Sequence, residues 1–453
     1  MRVALYTLGC KLNQAETESL ANNFRQAGFQ LVSPCDGADI YIANTCTVTH
    51  IADRKSRHWL RLARRRNPQA LIIATGCYAQ RTPQELASLA DLVVENKEKE
   101  HLLEIIRSLL KPTPPHTHTM LPVTARRNSL HHCKPRLHQG ETLHPIAGNV
   151  RTRSLIKIQD GCHSPCTYCI VPKVRPREYS LPASQIIDEV KQKVTLGYKE
   201  VVLTGTKVGS YRDANTNLKD LVQRILHNTG IERLRLSSLQ PSEISPEFLA
   251  LWQDERLCRH FHLALQSGSQ TVLQRMKRSY SLEQYRRTIE LIKERIPEVA
   301  ITTDIMVGFP GESDEEFEQS YSFCQQAGFA NIHVFPFSPR PEAAATKMPE
   351  QIKDKVKEER NRRMLELSQN SQRRFCEQFS GQTMPVLWEK ETNPGSGIYS
   401  GLTSNYIRVY VRSEKSLRNV ITPVTLVEFR NRAMLAELPG QLSTTSTNTE
   451  NES

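Results

Sequence analysis

From residue 155 onward, six short strand-like runs alternate with helical patterns. The strand-like runs are Leu155–Gln159, Glu200–Thr204, Leu234–Ser237, Phe261–Gln266, Ile301–Val307 and Ile332–Phe337; the helical patterns lie at Ala183–Leu196, Leu218–His227, Pro246–Gln253, Leu282–Arg295 and Asp314–Ala327. Continuous apolar runs joined by helices specify parallel strands covered by helices. Six such steps fit a partial barrel better than a complete eightfold one. Residues 2–110 show a second, shorter alternation: strands at Val3–Thr7, Asp39–Asn44, Ala70–Thr75 and Leu92–Glu95, with helical stretches at Gln14–Ala27, Ile51–Arg66, Pro83–Leu89 and Glu98–Leu110. This predicts a separate parallel-sheet α/β domain.

Between the two, residues 111–149 hold six of the 14 histidines, six prolines and no aromatic residue, which predicts a linker with little to bury. The mixed-charge stretch Gln351–Arg374 reads as a long connecting helix with an exposed role. Beyond it, Met384–Glu389, Tyr406–Arg412 and Val424–Phe429 have the pattern of a small β domain, and Gln441–Ser453 has the composition of a disordered tail. A chain of 453 residues accommodates about three domains. No apolar run reaches the roughly 20 residues a membrane span needs, so a cytoplasmic protein without membrane attachment is expected.

Eleven cysteines in a reducing compartment favour metal or catalytic use over disulfides. Cys162, Cys166 and Cys169 form a C-x3-C-x2-C run directly after the first strand of the six-step repeat. Three thiolates leave one position of a four-iron cluster open, and an open iron can hold a substrate. The other reading is a zinc knuckle completed by His163. Cys10, Cys46 and Cys77 are distant in sequence, yet each follows a predicted strand of the first domain. The carboxyl ends of parallel strands share one edge, so these side chains either converge on a metal site or are three buried free thiols.

The Cys162–Cys169 spacing, with Tyr168 before the last cysteine, resembles the signature of radical S-adenosylmethionine (SAM) enzymes. Together with Cys10, Cys46 and Cys77 and the β-rich tail, it resembles the methylthiotransferase family over nearly all of residues 1–440. Within that family, Gly9-Cys10-Lys11-Leu12-Asn13-Gln14-Ala15-Glu16 looks like the bacterial branch that modifies threonylcarbamoyladenosine in tRNA. The resemblance implies an amino-terminal cluster domain (1–112), a linker (113–147), a radical SAM core with a partial (β/α)6 barrel (148–378), a TRAM RNA-binding barrel (379–440) and a disordered tail (441–453).

It also implies two [4Fe-4S] clusters, one on Cys162, Cys166 and Cys169 and one on Cys10, Cys46 and Cys77, with SAM as cofactor. The implied reaction converts N6-threonylcarbamoyladenosine at tRNA position 37 to its 2-methylthio derivative. A 5′-deoxyadenosyl radical takes the C2 hydrogen, and electrons come from a donor such as flavodoxin or ferredoxin. Isopentenyladenosine in tRNA, a ribosomal-protein aspartate, or a non-catalytic metal-stabilised RNA-binding role are the alternatives.

Candidate SAM contacts lie at strand ends: Gly205, Ser237, Gln266, Ser267, Gly308 and Glu312. Where many radical SAM enzymes carry Gly-Gly-Glu to hold the SAM amine, this chain reads Thr204-Gly205-Thr206-Lys207.

Sixty Lys and Arg against 48 Asp and Glu give a net charge of +12, which suits a polyanionic partner. Arg54, Arg57, Arg61 and Arg64 recur at helical spacing, either as a phosphate-tracking stripe or as a solvated face. Tyr406, Arg408, Tyr410 and Arg412 alternate with aliphatic residues, giving either a single-stranded-RNA surface or a plain half-exposed strand.

Overall fold

The computed structural model describes residues 1–110 and 152–440; the expected linker (113–147) and tail (441–453) lie outside the described residues. The chain forms two compact units, Met1–Val150 and Arg151–Ser453.

In the first unit, five parallel strands form one sheet in the order Gln30–Leu31, Arg2–Thr7, Ile40–Thr45, Leu71–Gly76, Leu92–Val93. The central strand Ile40–Thr45 is buried along its whole length, its apolar start Ile40–Ala43 and polar end Asn44–Thr45 alike, as helices covering both faces require. One face packs Val3, Leu5, Leu20, Phe24, Ile40 and Ile42 together; the other packs Tyr41, Trp59, Leu60, Ile72 and Tyr78. Helix His50–Arg66 starts at a Thr49 cap whose side chain accepts from the Ala52 N–H, which satisfies one of the free donors of the first turn.

In the second unit, six parallel strands follow one another around an open barrel: Arg153–Lys157, Glu200–Thr204 and Arg233–Leu236, then His260–His262, Ala300–Val307 and Asn331–Pro336. Isolated parallel bridges at Leu234 and Leu257 and at Leu239 and Leu263 join the two halves. Odd-numbered residues of the fifth strand, Ile301, Ile305 and Val307, join the apolar layer under the helices, while His262 and Asp304 point into the lumen. The helix Asp354–Glu377 departs from its expected exposed role. Arg360, Met364, Leu367 and Ser371 recur at helical spacing and are buried, and Ser368 Oγ donates to the Ile332 carbonyl at 2.8 Å.

The chain then forms a closed five-stranded barrel from Thr383–Glu391, Ile398–Thr403, Arg408–Arg412, Ile421–Arg430 and Ala433–Glu437 around Val386, Trp388, Val409, Leu426 and Met434. Strands Ile398–Thr403 and Ala433–Glu437 add to the three read from the sequence. This small barrel caps the amino-terminal end of the larger one. Arg233 donates to the Leu402 and Pro385 carbonyls at 2.8 and 2.7 Å, and Arg235 donates to the Ser404 carbonyl at 3.0 Å. Fully buried Glu200 accepts from Arg235 Nε at 2.7 Å, and Arg153 pairs with Glu389 at 2.7 Å.

Candidate active site

Cys10, Cys46 and Cys77 each sit one to three residues beyond a strand of the first unit, at the carboxyl edge of the sheet. Two glycines bring these loops together. Gly9 and Gly76 have φ of +99° and +97°, and a Cβ on Gly9 would stand 2.8 Å from Cys46 Sγ. Only glycine lets the Cys10 loop lie on Cys46 in this way. Asn13 fixes the arrangement, donating to the Leu8 and Thr45 carbonyls at 2.8 and 3.1 Å. Glu16 pairs with buried Lys99 at 2.6 Å, and Lys99 also donates to Asn44 Oδ1 at 3.1 Å. The Asn13 and Glu16 side chains of the Gly9–Glu16 motif therefore hold the loops in place. Burial, then the charges of Cys77 and Cys10, push the Cys46 thiol up to about 12.

In the second unit, Gln159–Asp160 pairs antiparallel with Tyr179–Ser180 and closes the segment between them into a loop at the barrel's carboxyl end. Arg175 clamps Asp160 at 2.7 and 2.8 Å. The Thr167 N–H donates to the Met276 carbonyl at 3.1 Å and its carbonyl accepts from Ala345 at 2.8 Å, so the loop is tied to segments following the fourth and sixth strands. Cys162, Cys166 and Cys169 lie on it, all partly buried. Arg278 Nη1 reaches Cys166 Sγ at 3.2 Å and the Tyr168 hydroxyl at 3.3 Å. Burial raises the Cys169 thiol to about 12. Such thiols give up their protons when a cationic centre replaces them.

Two observations bear on what the triads hold. His163 does not face the cysteines: its Nε2 bonds the Pro176 carbonyl at 2.7 Å and its Nδ1 faces Glu178 at 3.7 Å. That removes the fourth ligand of a zinc knuckle. Sulfurs on one zinc ion stand roughly 4 Å apart, given Zn–S bonds of about 2.3 Å. Among the described residues, the ligand atoms gathered within 4.8 Å of one another belong to His262, Asp304 and His333, not to either cysteine triad.

The rim of the barrel divides the candidate SAM contacts. Ser237 Oγ and Gln266 Oε1 are buried without a hydrogen-bond partner, so each has bonding capacity left for a ligand. Gly205 packs against the Gln159 carbonyl, where a Cβ would approach to 2.8 Å. Three others also have a place in the fold. Ser267 Oγ faces Ser320 Oγ at 3.1 Å and accepts from the Ser269 N–H, so it fastens its turn to the helix Asp314–Ala327. Glu312 accepts from the Gly308 N–H and from Arg360, both at 2.7 Å, so it braces its own turn and the long helix. Gly308 provides space for Lys357, whose Cγ a Cβ would meet at 2.4 Å.

In the lumen below, His262 and His333 hold the Asp304 carboxylate at 3.1 and 3.3 Å. Although burial opposes it, these partners keep the group below the usual carboxylate range.

The basic helix is also rearranged relative to expectation. Arg54, His58, Arg61 and Arg65 form its exposed face. Arg57 is drawn to the Tyr78 hydroxyl and to Glu85 at 3.8 Å, and Arg64 pairs with Asp91 at 2.5 Å. In the small barrel, Tyr406 is half-buried and packs toward the larger barrel. It sits in a turn with φ of +69°, stacked on His260 at 4.4 Å, with the Arg235 guanidinium 4.9 Å from its ring centre. Arg408 is paired with Glu389. Tyr410 stays half-buried and Arg412 exposed.

Among the described residues no helix is long and apolar enough to cross a membrane. Residues 156–324 match the radical SAM superfamily, and residues 2–95 match the uncharacterized protein family UPF0004. The solved structure of the radical SAM methyltransferase TsrM from Kitasatospora setae, at 15% identity, covers 76% of this chain and 75% of its own with a TM-score of 0.54, a likeness of fold.

A threonylcarbamoyladenosine tRNA methylthiotransferase of Aquifex aeolicus is 38% identical over 93% of this chain and 99% of its own length; one of Bacillus subtilis is 35% identical over 94% of each. A tRNA-2-methylthio-N(6)-dimethylallyladenosine synthase of Syntrophotalea carbinolica is 31% identical over 94% of this chain and 97% of its own. With a cysteine triad at the mouth of a radical SAM barrel and a second at the edge of the amino-terminal sheet, the chain belongs to the radical SAM tRNA methylthiotransferase family.

Proposed function

We propose that this protein converts N6-threonylcarbamoyladenosine at tRNA position 37 to its 2-methylthio derivative. The observation that carries this reading is the pair of cysteine triads, each at the carboxyl ends of parallel strands and each in its own unit. The choice of substrate is supported by near full-length similarity to relatives named for that nucleoside. Cys162, Cys166 and Cys169 would hold one [4Fe-4S] cluster and Cys10, Cys46 and Cys77 the other. Gly205, Ser237 and Gln266 would face SAM.

With cluster and SAM bound, the barrel gains reductive cleavage of a sulfonium and, through it, hydrogen abstraction from an unactivated aromatic C–H, chemistry no side chain supplies. The residues around Cys162, Cys166 and Cys169 hold their loop: Arg175 and Asp160 close the base, while Met276 and Ala345 fix Thr167 between the cysteines. Electrons would come from a small reductant of the flavodoxin or ferredoxin class, and the enzyme would work in the cytoplasm with its tRNA.

Mass spectrometry of tRNA nucleosides tests the reading. Deleting the gene should remove 2-methylthio-N6-threonylcarbamoyladenosine, leave the unmodified precursor in its place, and be reversed by the intact gene. Loss of the methylthio-isopentenyl nucleoside instead would transfer the assignment to the sister activity. Intact tRNA with an unmodified ribosomal-protein aspartate would refute it.

The RNA surface has its own test. Changing Arg54, Arg61 and Arg65 together to Gln should weaken tRNA binding and flatten its salt dependence, by roughly 0.7–0.9 in log–log slope for each phosphate no longer neutralised. Arg57→Gln should do little beyond loosening Tyr78. Filter binding across a salt series reads both, and an unchanged slope in the triple variant would return that face to a merely solvated one.

A further inference from the structure

Two half-buried, oppositely charged side chains near the mouth of the larger barrel each have one buried atom without a partner. After the third strand the chain turns into the short helix Pro241–Glu243, and Glu243 closes that turn on itself. Its Oε2 accepts from the Gln240 N–H at 2.8 Å, while Oε1 is buried without a hydrogen-bond partner. The loop following the second strand lies against this carboxyl: a Cβ on Gly209 would stand 2.0 Å from the Glu243 carboxyl carbon, so glycine lets the group keep this position. Burial raises the Glu243 pKa against the lowering charges of Lys207, Arg278 and Arg212.

Arg278 spends Nη1 on Cys166 and Tyr168 and Nε on the Tyr280 hydroxyl at 3.0 Å, leaving Nη2 buried and unpaired. No ion pair joins Glu243 to Arg278 among the described residues, and each keeps its buried atom open. A buried acceptor and a buried donor left open are costly, so a ligand that supplies both a cationic donor and an anionic acceptor satisfies them together.

We propose that Glu243 and Arg278 grip the two ends of one α-amino acid group, Glu243 Oε1 accepting from the amine and Arg278 Nη2 donating to the carboxylate of the methionyl part of SAM. This rests on the function proposed above and deepens it. It also accounts for Thr204-Gly205-Thr206-Lys207 in place of Gly-Gly-Glu: the carboxylate that helps hold the amine comes from the loop one strand later, and Gly209 makes room for it.

The test uses full-length, anaerobically reconstituted protein and three probes: SAM, its analogue lacking the α-amine, and decarboxylated SAM. Affinities are measured by equilibrium dialysis, alongside iron content and the electron paramagnetic resonance of the reduced cluster. Glu243→Gln should weaken SAM and decarboxylated SAM by about tenfold or more and leave the amine-lacking analogue unchanged, with iron and the probe-free spectrum intact. Arg278→Gln should show the converse, weakening SAM and the amine-lacking analogue only. Should Arg278→Gln lose iron, Arg278→Lys, which retains the charge, carries that arm.

Equal weakening of all three probes by Glu243→Gln, or none, would overturn the proposal, the former by showing that Glu243 acts only through the shape of its loop. A wild-type protein with full iron that binds none of the probes would instead overturn the radical SAM reading, and this proposal with it.

Discussion

Replacing Cys162, Cys166 and Cys169 together by Ala is expected to reduce the iron of anaerobically reconstituted protein from about eight atoms per chain to about four, and to end 5′-deoxyadenosine formation. The loop that carries them is held by bonds that do not involve sulfur, the Asp160–Arg175 clamp and the backbone hydrogen bonds of Thr167, so it should keep its place without its metal. The other triad lies in a separate compact unit with its own core, so its cluster should survive.

Cys46→Ala reverses the pattern: SAM cleavage should persist while methylthio transfer to tRNA stops. Iron analysis, product chromatography and nucleoside mass spectrometry on the same preparations separate the two variants. Stoichiometric zinc in place of iron, or normal methylthio product from Cys46→Ala, would contradict the division of labour.

The βα order of both units was legible because parallel strands buried on both faces leave continuous apolar runs. The cysteines were legible because they sit where those runs end. Glu243 and Arg278 were not. Arg278 meets Cys166 across 112 positions, and nothing in the local pattern Lys277-Arg278-Ser279 distinguishes it from a surface arginine. The structural contact of Glu312 was not legible either: in a Gly-Phe-Pro-Gly-Glu turn nothing shows that the carboxylate folds back on the Gly308 N–H four residues earlier.

The strand expected from Tyr406 starts two residues later. The alternation that exposes Tyr410 and Arg412 begins at Arg408, and Tyr406 lies before it in a left-handed turn. The polar turn residues around it, Ser404 and Asn405, gave no sign that a second barrel waited beneath. The long helix misled in the same way: its many charges masked the single buried line through Arg360, Met364, Leu367 and Ser371.

That hidden junction leads to the second large effect. Glu200→Ala should destabilise the second unit by about 3–5 kcal/mol, because it strands the fully buried Arg235 guanidinium without its anion, while Arg153 keeps Glu389. A surface control, Glu232→Ala, removes the half-exposed partner of Lys199 and should cost at most about 1 kcal/mol. Burial alone would raise the Glu200 pKa, but Arg235 and Arg153 overcome it and the net shift is downward. Glu389 behaves alike: burial opposes, Arg153 and Arg408 prevail, and its pKa falls to about 2.

A carboxylate whose folded pKa lies below its unfolded value of about 4.3 contributes stability that is complete above that value and is lost as pH falls through the folded one. Wild-type protein should therefore lose stability between about pH 5 and 2, and Glu389→Gln should flatten that loss while starting from a lower plateau. Urea unfolding followed through buried Trp388, in the core of the small barrel, reads both effects. A Glu200→Ala protein within about 0.5 kcal/mol of wild type would mean that the backbone carbonyls accepting from Arg233 and Arg235, rather than the charges, hold the small barrel on the large one.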